Sequence, residues 1–404
     1  MRYLSFLLIL SLLFGCRNDK SITLHEGVWR AELQVTETEV LPFNFEVTSP
    51  DALKIFNADE VIMVTDLSYS SDTVVFKAPV FEGYIKAVLK KDRLEGEFIK
   101  ESLDRVVPFS AEFGVDIRFN SSNTVSNSNV TGVWETVFSP DSEDDRYIAK
   151  GIFTQDGNRV TGTFRTTTGD YRYLEGMMDG ETMKLSTFDG AHAFLFTAKV
   201  SDSTMTGMFY SGNHWQEPFT AKRNEAYELP DANSLTYLNE GYERLSFRFP
   251  NAEGQMVSLD DAQFNNKVVV VQIMGTWCPN CLDESRFYSE YYDNNAEKDI
   301  EFIALAFEYA KTEEKAFRSI KRLKDDVGIQ YPILLAQYGT SSKSKAQEKL
   351  PMLNHVLSYP TSVFIDKQGN VRKIHTGFNG PATGMKYIEF KEEFDDFVKQ
   401  LLSE

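Results

Sequence analysis

Cysteine is almost absent from this chain: Cys16, Cys278 and Cys281 are the only three in 404 residues. So few thiols cannot staple a disulfide-rich scaffold, and the chain must fold on hydrophobic cores. Histidine is scarce at five. His192 and His214 lack a partner at metal-ligand spacing and read as structural, and His355 and His375 stand singly, so the pattern offers no metal centre. Positive charge is in deficit, with 42 Lys and Arg against 60 Asp and Glu and a formal charge of -18, which excludes a wide basic face for nucleic acid. The N-terminal apolar run, residues 4–14, falls well short of the roughly 20 residues that a retained membrane-spanning helix needs. What is present, 42% hydrophobic and 25% charged residues, matches a globular chain of two or three domains rather than a disordered or polytopic one.

The first twenty residues read as an address. Met1-Arg2-Tyr3 supplies a positive charge, the apolar run follows, and Arg17-Asn18-Asp19-Lys20 turns polar at once. Leu13-Phe14-Gly15-Cys16 resembles the lipobox of bacterial lipoproteins. That resemblance implies a signal peptide over residues 1–15, diacylation of Cys16 and a lipid-anchored tether over residues 16–25; an ordinary secretory signal with a Cys placed by accident is the alternative. Export to an oxidising compartment leaves the remaining Cys pair either structural or catalytic.

Residues 26–119 alternate at strand period, as in Trp29-Arg30-Ala31-Glu32-Leu33-Gln34-Val35, and predict an all-β domain. The Ser/Asn-rich stretch at 120–130 reads as a linker. The β pattern resumes over 131–223, and Gly132-Val133-Trp134 echoes Gly27-Val28-Trp29. Leu94-Glu95-Gly96-Glu97-Phe98 and Pro108-Phe109-Ser110-Ala111 are echoed in the same order by Met205-Thr206-Gly207-Met208-Phe209 and Pro218-Phe219-Thr220-Ala221, which points to a duplicated antiparallel meander. In the second copy, residues 171–178 are among the predicted strands. The Gly-x-Trp followed by about eight strands resembles streptavidin and lipocalin-like barrels. It implies a cavity that Trp215, Tyr171 and Tyr173 would line; a packed spacer is the plainer reading.

After a second linker at 224–245, residues 246–404 switch to alternating strands and helices, an α/β order of β-α-β-α-β-β-α. Trp277-Cys278-Pro279-Asn280-Cys281 falls where a buried strand, residues 267–274, meets a helix. Unpaired N–H groups and the macrodipole at a helix N-terminus favour a thiolate, so Cys278 is placed to attack a disulfide. Cys281, one turn on, is placed to resolve the adduct, and Pro279 fits a first turn where its missing N–H has no partner. Half a zinc site lacks its second Cys pair, and a structural disulfide closing so small a loop removes little chain entropy.

Together with Tyr359-Pro360-Thr361-Ser362-Val363-Phe364-Ile365-Asp366 and Gly369-Asn370-Val371, this motif makes residues 246–402 resemble the TlpA/ResA branch of the thioredoxin superfamily. The resemblance implies a thioredoxin-like fold and a cis-proline at Pro360 facing the Cys pair. It places Trp277, Tyr359 and Thr361 at the substrate and Glu308, at a strand end, as the base for Cys281, because Gln272 occupies the place of the buried Asp of ordinary thioredoxins. The long 339–357 connection predicts an extra helix near Pro360. The Gly-rich stretch at 375–384 resembles TlpA-like lipoproteins of Bacteroidota. The expectation is a lipid-anchored, periplasm-facing thiol-disulfide oxidoreductase acting on disulfide-containing envelope proteins, with no cofactor, no nucleic acid and a membrane thiol carrier as electron donor. The alternative is an envelope lipoprotein whose barrels bind a ligand or protein and whose thioredoxin-like domain is accessory.

Overall fold

The computed structural model describes residues 23–122, 128–295 and 297–404. The signal segment, Cys16 and the centre of the Ser/Asn-rich linker lie outside the described residues. The fold is multidomain: two antiparallel, barrel-like β domains followed by an α/β thioredoxin-like domain. Among the described residues no helix is long and apolar enough to cross a membrane.

The first β domain runs from Gly27–Gln34 to Arg105–Phe113 as a nine-stranded meander whose first and last strands pair. Its ring stays open between Glu60–Val64 and Asp66–Ser70. The second domain closes completely. Arg159–Thr166 pairs with both Tyr147–Asp156 and Leu174–Asp179, and Gly132–Phe138 pairs with both Tyr147–Asp156 and Trp215–Arg223, so the main ladder closes on itself, with only the two-residue strand Gly169–Asp170 paired on one side. Alternation explains both rings: on Gly27–Gln34, Trp29, Ala31 and Leu33 are buried while the residues between them are not.

The duplication is written into the strand register. Trp29 faces Phe113 and Leu33 faces Phe109 in the first copy, as Trp134 faces Arg223 and Phe138 faces Phe219 in the second. Each Trp is fully buried and donates its indole N–H over 2.9 Å to the carbonyl four residues earlier, of His25 or Val130. Gly27 and Gly132 share φ of 125° and 123°, a conformation that other residues rarely adopt. Aromatic side chains fill the second ring: Phe138, Phe164, Tyr171, Phe196, Phe209 and Phe219 pack ring on ring. Tyr171 is therefore part of a packed interior, while Trp215 is 44% exposed.

One expected strand is shorter than its pattern. Residues 171–178 alternate, yet the strand is Leu174–Asp179, because Arg172 takes φ of 58° and turns its guanidinium into a cluster of acids from three domains. The strands Val40–Ser49 and Ala52–Asn57 of the first ring pack against the second copy, whose Phe188, Leu195 and Tyr210 join the first copy's core. Asn57 locks this junction, donating to the Phe188 carbonyl at 3.0 Å and accepting from its N–H at 3.1 Å.

In the C-terminal domain the sheet order is Ile333–Gln337, Ile300–Phe307, Val268–Met274, Thr361–Ile365, Val371–Thr376. The first three strands are parallel and the last two antiparallel. Val268–Met274 is buried throughout, as a central strand covered on both faces must be. The helix Pro279–Asn294 packs on the C-terminal helix Met385–Ser403 through Phe287 and Tyr291 against Phe394. The 339–357 connection holds a helix, Lys343–Lys349.

Candidate active site

The central strand delivers the chain, through Gly275 and Thr276, to the N-terminus of the helix Pro279–Asn294. Cys278 is its N-cap residue, with φ of -99° and ψ of 115°, and its Sγ accepts the Cys281 N–H at 3.2 Å. A side chain that accepts from a helix N-terminus in this way favours negative charge on that atom. The Cys278 thiol also donates to the Tyr359 carbonyl at 3.4 Å, and the Tyr359–Pro360 peptide bond is cis. Cys278 keeps 8% exposure whereas Cys281 has none. Burial pushes the Cys281 thiol well above its ordinary range, and the neighbouring Cys278 and the Glu284 charge push it the same way. One thiol is thus presented and the other held back.

Trp277, the residue before the pair, is braced at the end of the strand Ile300–Phe307. Its indole N–H donates to the Phe307 carbonyl at 3.0 Å, and its ring lies 5.6 Å from both Tyr309 and Tyr359. Thr361, fully buried, donates its hydroxyl to the Ser358 carbonyl at 3.0 Å, which holds the turn containing Pro360.

Glu308 and Glu284 are the most deeply buried carboxylates among the described residues of this domain. Glu308 accepts the Thr276 N–H at 2.8 Å and the Thr276 hydroxyl at 2.7 Å, and burial pushes it up to about 7. Its hydrogen bonds therefore hold the loop that leads into the Cys pair. Glu284 accepts from Gln272 at 2.8 Å, Ser362 at 2.9 Å and Tyr288 at 3.1 Å, and burial raises it as well to about 7. Sequence reasoning missed Glu284. Its signal was spacing, since an acid three residues after Cys281 shares that residue's helix face, and the amide at Gln272 that donates to it is one half of a pair. On the exposed side, burial lowers Lys343, which the Cys278 charge raises in opposition. The helix in the 339–357 connection thus brings a cation within electrostatic reach of the nucleophile. Among the described residues no group of three or more His, Cys, Asp or Glu is arranged to hold a metal ion.

The second barrel reaches this site. Between Arg159–Thr166 and Leu174–Asp179, its 167–173 segment lies on the residues between the cysteines. Asn280 donates to the Asp170 carbonyl at 3.1 Å, and Arg172 donates to the Pro279 carbonyl at 3.4 Å. Ser358, two residues before Pro360, donates to the Thr168 carbonyl at 2.8 Å. Asp170 accepts the Gly380 N–H at 2.7 Å, and Arg165 donates to Asn379 at 3.0 Å. The Gly-rich 375–384 stretch is therefore the barrel's docking ledge. Arg172 pairs with Glu60 of the first barrel, Asp189 of the second and Asp283 of the Cys-bearing helix. Burial raises Asp283 and takes Asp170 up to about 6, while His192 and Arg172 outweigh burial at Asp189 and hold it at about 2.

A helix N-terminal Cys-x-x-Cys pair beside a cis-proline, on this five-stranded sheet, defines the C-terminal unit as a thioredoxin-superfamily domain. The Redoxin family profile matches residues 230–387. The thioredoxin-like protein YneN of Bacillus subtilis is 27% identical over 140 residues, covering 35% of this chain and 73% of its own length. The thiol-disulfide oxidoreductase ResA of Bacillus thuringiensis is 26% identical over 161 residues, covering 40% of this chain and 78% of its own. A crystal structure of a thiol:disulfide interchange protein from Chlorobium tepidum is 22% identical, covers 41% of this chain and 98% of that one, and superposes with a TM-score of 0.30. The C-terminal domain is accordingly thioredoxin-like and similar to thiol-disulfide oxidoreductases of the ResA kind; the profile match leaves residues 26–223 outside it.

Proposed function

We propose that the protein is an exported, lipid-anchored oxidoreductase that reduces or exchanges disulfides in envelope proteins, with the barrels setting which disulfides reach Cys278. The observation that carries this reading is the asymmetry of the pair: a presented Cys278 capped by the Cys281 N–H, and a buried, high-pKa Cys281 behind it. The Cys278 thiolate attacks one sulfur of the substrate disulfide, forming a mixed disulfide and expelling the other sulfur as a thiolate, which takes up a proton. Cys281, deprotonated, then attacks the Cys278 sulfur. The Cys278–Cys281 disulfide forms, the second substrate thiol leaves, and two electrons have passed to the substrate. A dithiol donor must return those electrons, and a membrane thiol carrier is the donor that the ResA/TlpA likeness suggests. Support for export and anchoring comes from the apolar run and the Leu13-Phe14-Gly15-Cys16 motif.

A Cys281→Ser variant should accumulate substrate adducts at Cys278, and Cys278→Ser should not; adduct-free Cys281→Ser protein after incubation with envelope extract rejects the reading. Glu284 is the acid whose charge Cys281 feels, and it titrates near pH 7. Glu284→Gln should therefore remove an inflection near pH 7 from the resolving step. The same shift has a stability consequence. A carboxyl raised from 4.5 to about 7 stabilises the fold below pH 4.5 and loses that contribution as pH rises through 7. At pH 8 Glu284→Gln should accordingly recover up to roughly 3 kcal/mol in denaturant titrations, and almost nothing at pH 4.

A further inference from the structure

All three domains meet around a cleft of about 220 Å³ whose wall includes the ring of Trp277. The first barrel contributes Lys100 and Arg105, the second contributes His192 and His214, and the thioredoxin-like domain contributes Trp277 and Tyr309. In a chain with 18 more acids than bases, a cation normally finds a carboxylate. Neither Lys100 nor Arg105 has an ion-pair partner among the described residues. The Lys100 ammonium is enclosed, with the Ala191 carbonyl at 2.9 Å as its acceptor, and no side chain or carbonyl of the described residues accepts from the Arg105 guanidinium. Burial, reinforced by Arg105, lowers Lys100 to about 8 against the opposing charges of Asp189 and Glu82. Burial and the same two cations take His214 down to about 4, so it is neutral at pH 7. Two cations with no carboxylate in ion-pair contact share one cleft, an arrangement that a ligand's negative charge relieves.

Size and position say what kind of ligand. Cofactor and small-molecule sites occupy about 300–1,000 Å³, so this cleft admits one or two side chains of something larger. Trp277 joins it to the chemistry, with one neighbour in the cleft, Tyr309, and another, Tyr359, whose carbonyl accepts from Cys278. The other approach, over Pro279 and Asn280, is covered by the 167–173 segment. We propose that the cleft between the barrels and Trp277 receives an acidic side chain of a disulfide-bearing polypeptide, seating it while the disulfide lies at Cys278. The inference rests on the oxidoreductase reading for its substrate class but is measured apart from it.

The test uses two cyclic disulfide peptides that differ only in one Glu or Gln flanking a Cys. Binding is measured by calorimetry to the Cys278→Ser/Cys281→Ser protein, and turnover is measured with the unaltered protein. The Glu peptide should bind about tenfold more tightly at low salt, as expected for a charge-assisted contact. Arg105→Gln, at a half-exposed position, and Lys100→Met, which keeps the buried stem, should each reduce that preference to within about twofold. Equal affinity for the two peptides, no measurable binding of either, or a preference that survives Arg105→Gln overturns the proposal. Turnover of both peptides without preference overturns the cleft and leaves the oxidoreductase reading standing. Preferential binding without turnover does the reverse.

Discussion

The two β domains share a register and a buried Trp, but only the second lays a segment on the residues between the cysteines. The first copy is an open ring that takes Phe188, Leu195 and Tyr210 of its sibling into its core. The second is a closed ring that packs its own interior with aromatics and extends its 167–173 segment onto Asn280 and Pro279. A closed ladder does not need a neighbour to satisfy its backbone, which frees its loops to engage another domain. After duplication one copy became the wall and the other the hand. The difference lies where the rings close: Arg159–Thr166 pairs with Leu174–Asp179 in the second copy, whereas Glu60–Val64 and Asp66–Ser70 do not pair in the first.

Arg172 is where the two copies and the thioredoxin-like domain are tied, and removing it should break the comparison most severely. Arg172→Met leaves Glu60, Asp189 and Asp283 facing one another in a buried space. Breaking such a cluster by removing its cation costs about 3–5 kcal/mol, to be read as a loss in unfolding free energy by denaturant titration. Without the guanidinium Asp283, already raised by burial, loses the charge that opposes that rise, and a carboxyl raised in the folded state loses stability as pH increases. The deficit should therefore be larger at pH 8 than at pH 5. A loss under about 1 kcal/mol at pH 8 would mean that the three domains do not depend on this tie.

The equivalent tryptophans test whether closure matters. Trp134 sits in the closed ring with Arg223 stacked 4.4 Å from its ring, and Trp29 sits in the open ring beside Phe45 and Phe113. Truncating a buried Trp costs about 3–5 kcal/mol, less where the surroundings can collapse. Trp134→Ala should fall at the upper end of that range and Trp29→Ala at the lower, because an open ring can close on the cavity. Equal losses would show that the gap between Val64 and Asp66 confers no compliance.

What was legible in the sequence follows interaction range. Cys278, Pro279 and Cys281 announce themselves because a helix N-terminus is a local device, and the extra helix at Lys343–Lys349 shows in the spacing of its connection. The duplication was readable because Gly-x-Trp carries a backbone requirement along with a side chain. The docking of the second barrel was not readable. Arg172 looks like an outward strand residue until Glu60, more than a hundred positions away, and Asp283 are brought beside it. The ResA/TlpA resemblance implies Glu308 as the base for Cys281; in the fold its carboxylate accepts from the Thr276 N–H and hydroxyl, and Glu284, which the sequence reading passed over, is the acid whose charge acts on Cys281. Both lie on elements correctly placed by pattern; which of them faces the thiol depends on how a helix sits on a sheet.

The finest distinction is between two turns of the second barrel. Gly169, at φ of 144°, lies where a Cβ would come within 2.1 Å of the Asn280 amide nitrogen. Gly157, at φ of 59°, has nothing within 4 Å. Alanine at Gly157 costs about 1–2 kcal/mol for the left-handed conformation alone, and at Gly169 the same kind of backbone strain is joined by the clash, so thermal stability should fall in both variants and further in Gly169→Ala. Only Gly169→Ala displaces Asn280 from the Asp170 carbonyl. Because Asn280 lies between the two cysteines, that displacement changes the environment of both sulfurs and should shift the Cys278/Cys281 reduction potential measured in thiol buffers. Gly157→Ala should leave the potential where it was. If both variants keep the parent potential, the barrel's contact with the motif holds the domains together without tuning the dithiol, and the second copy differs from the first in position alone.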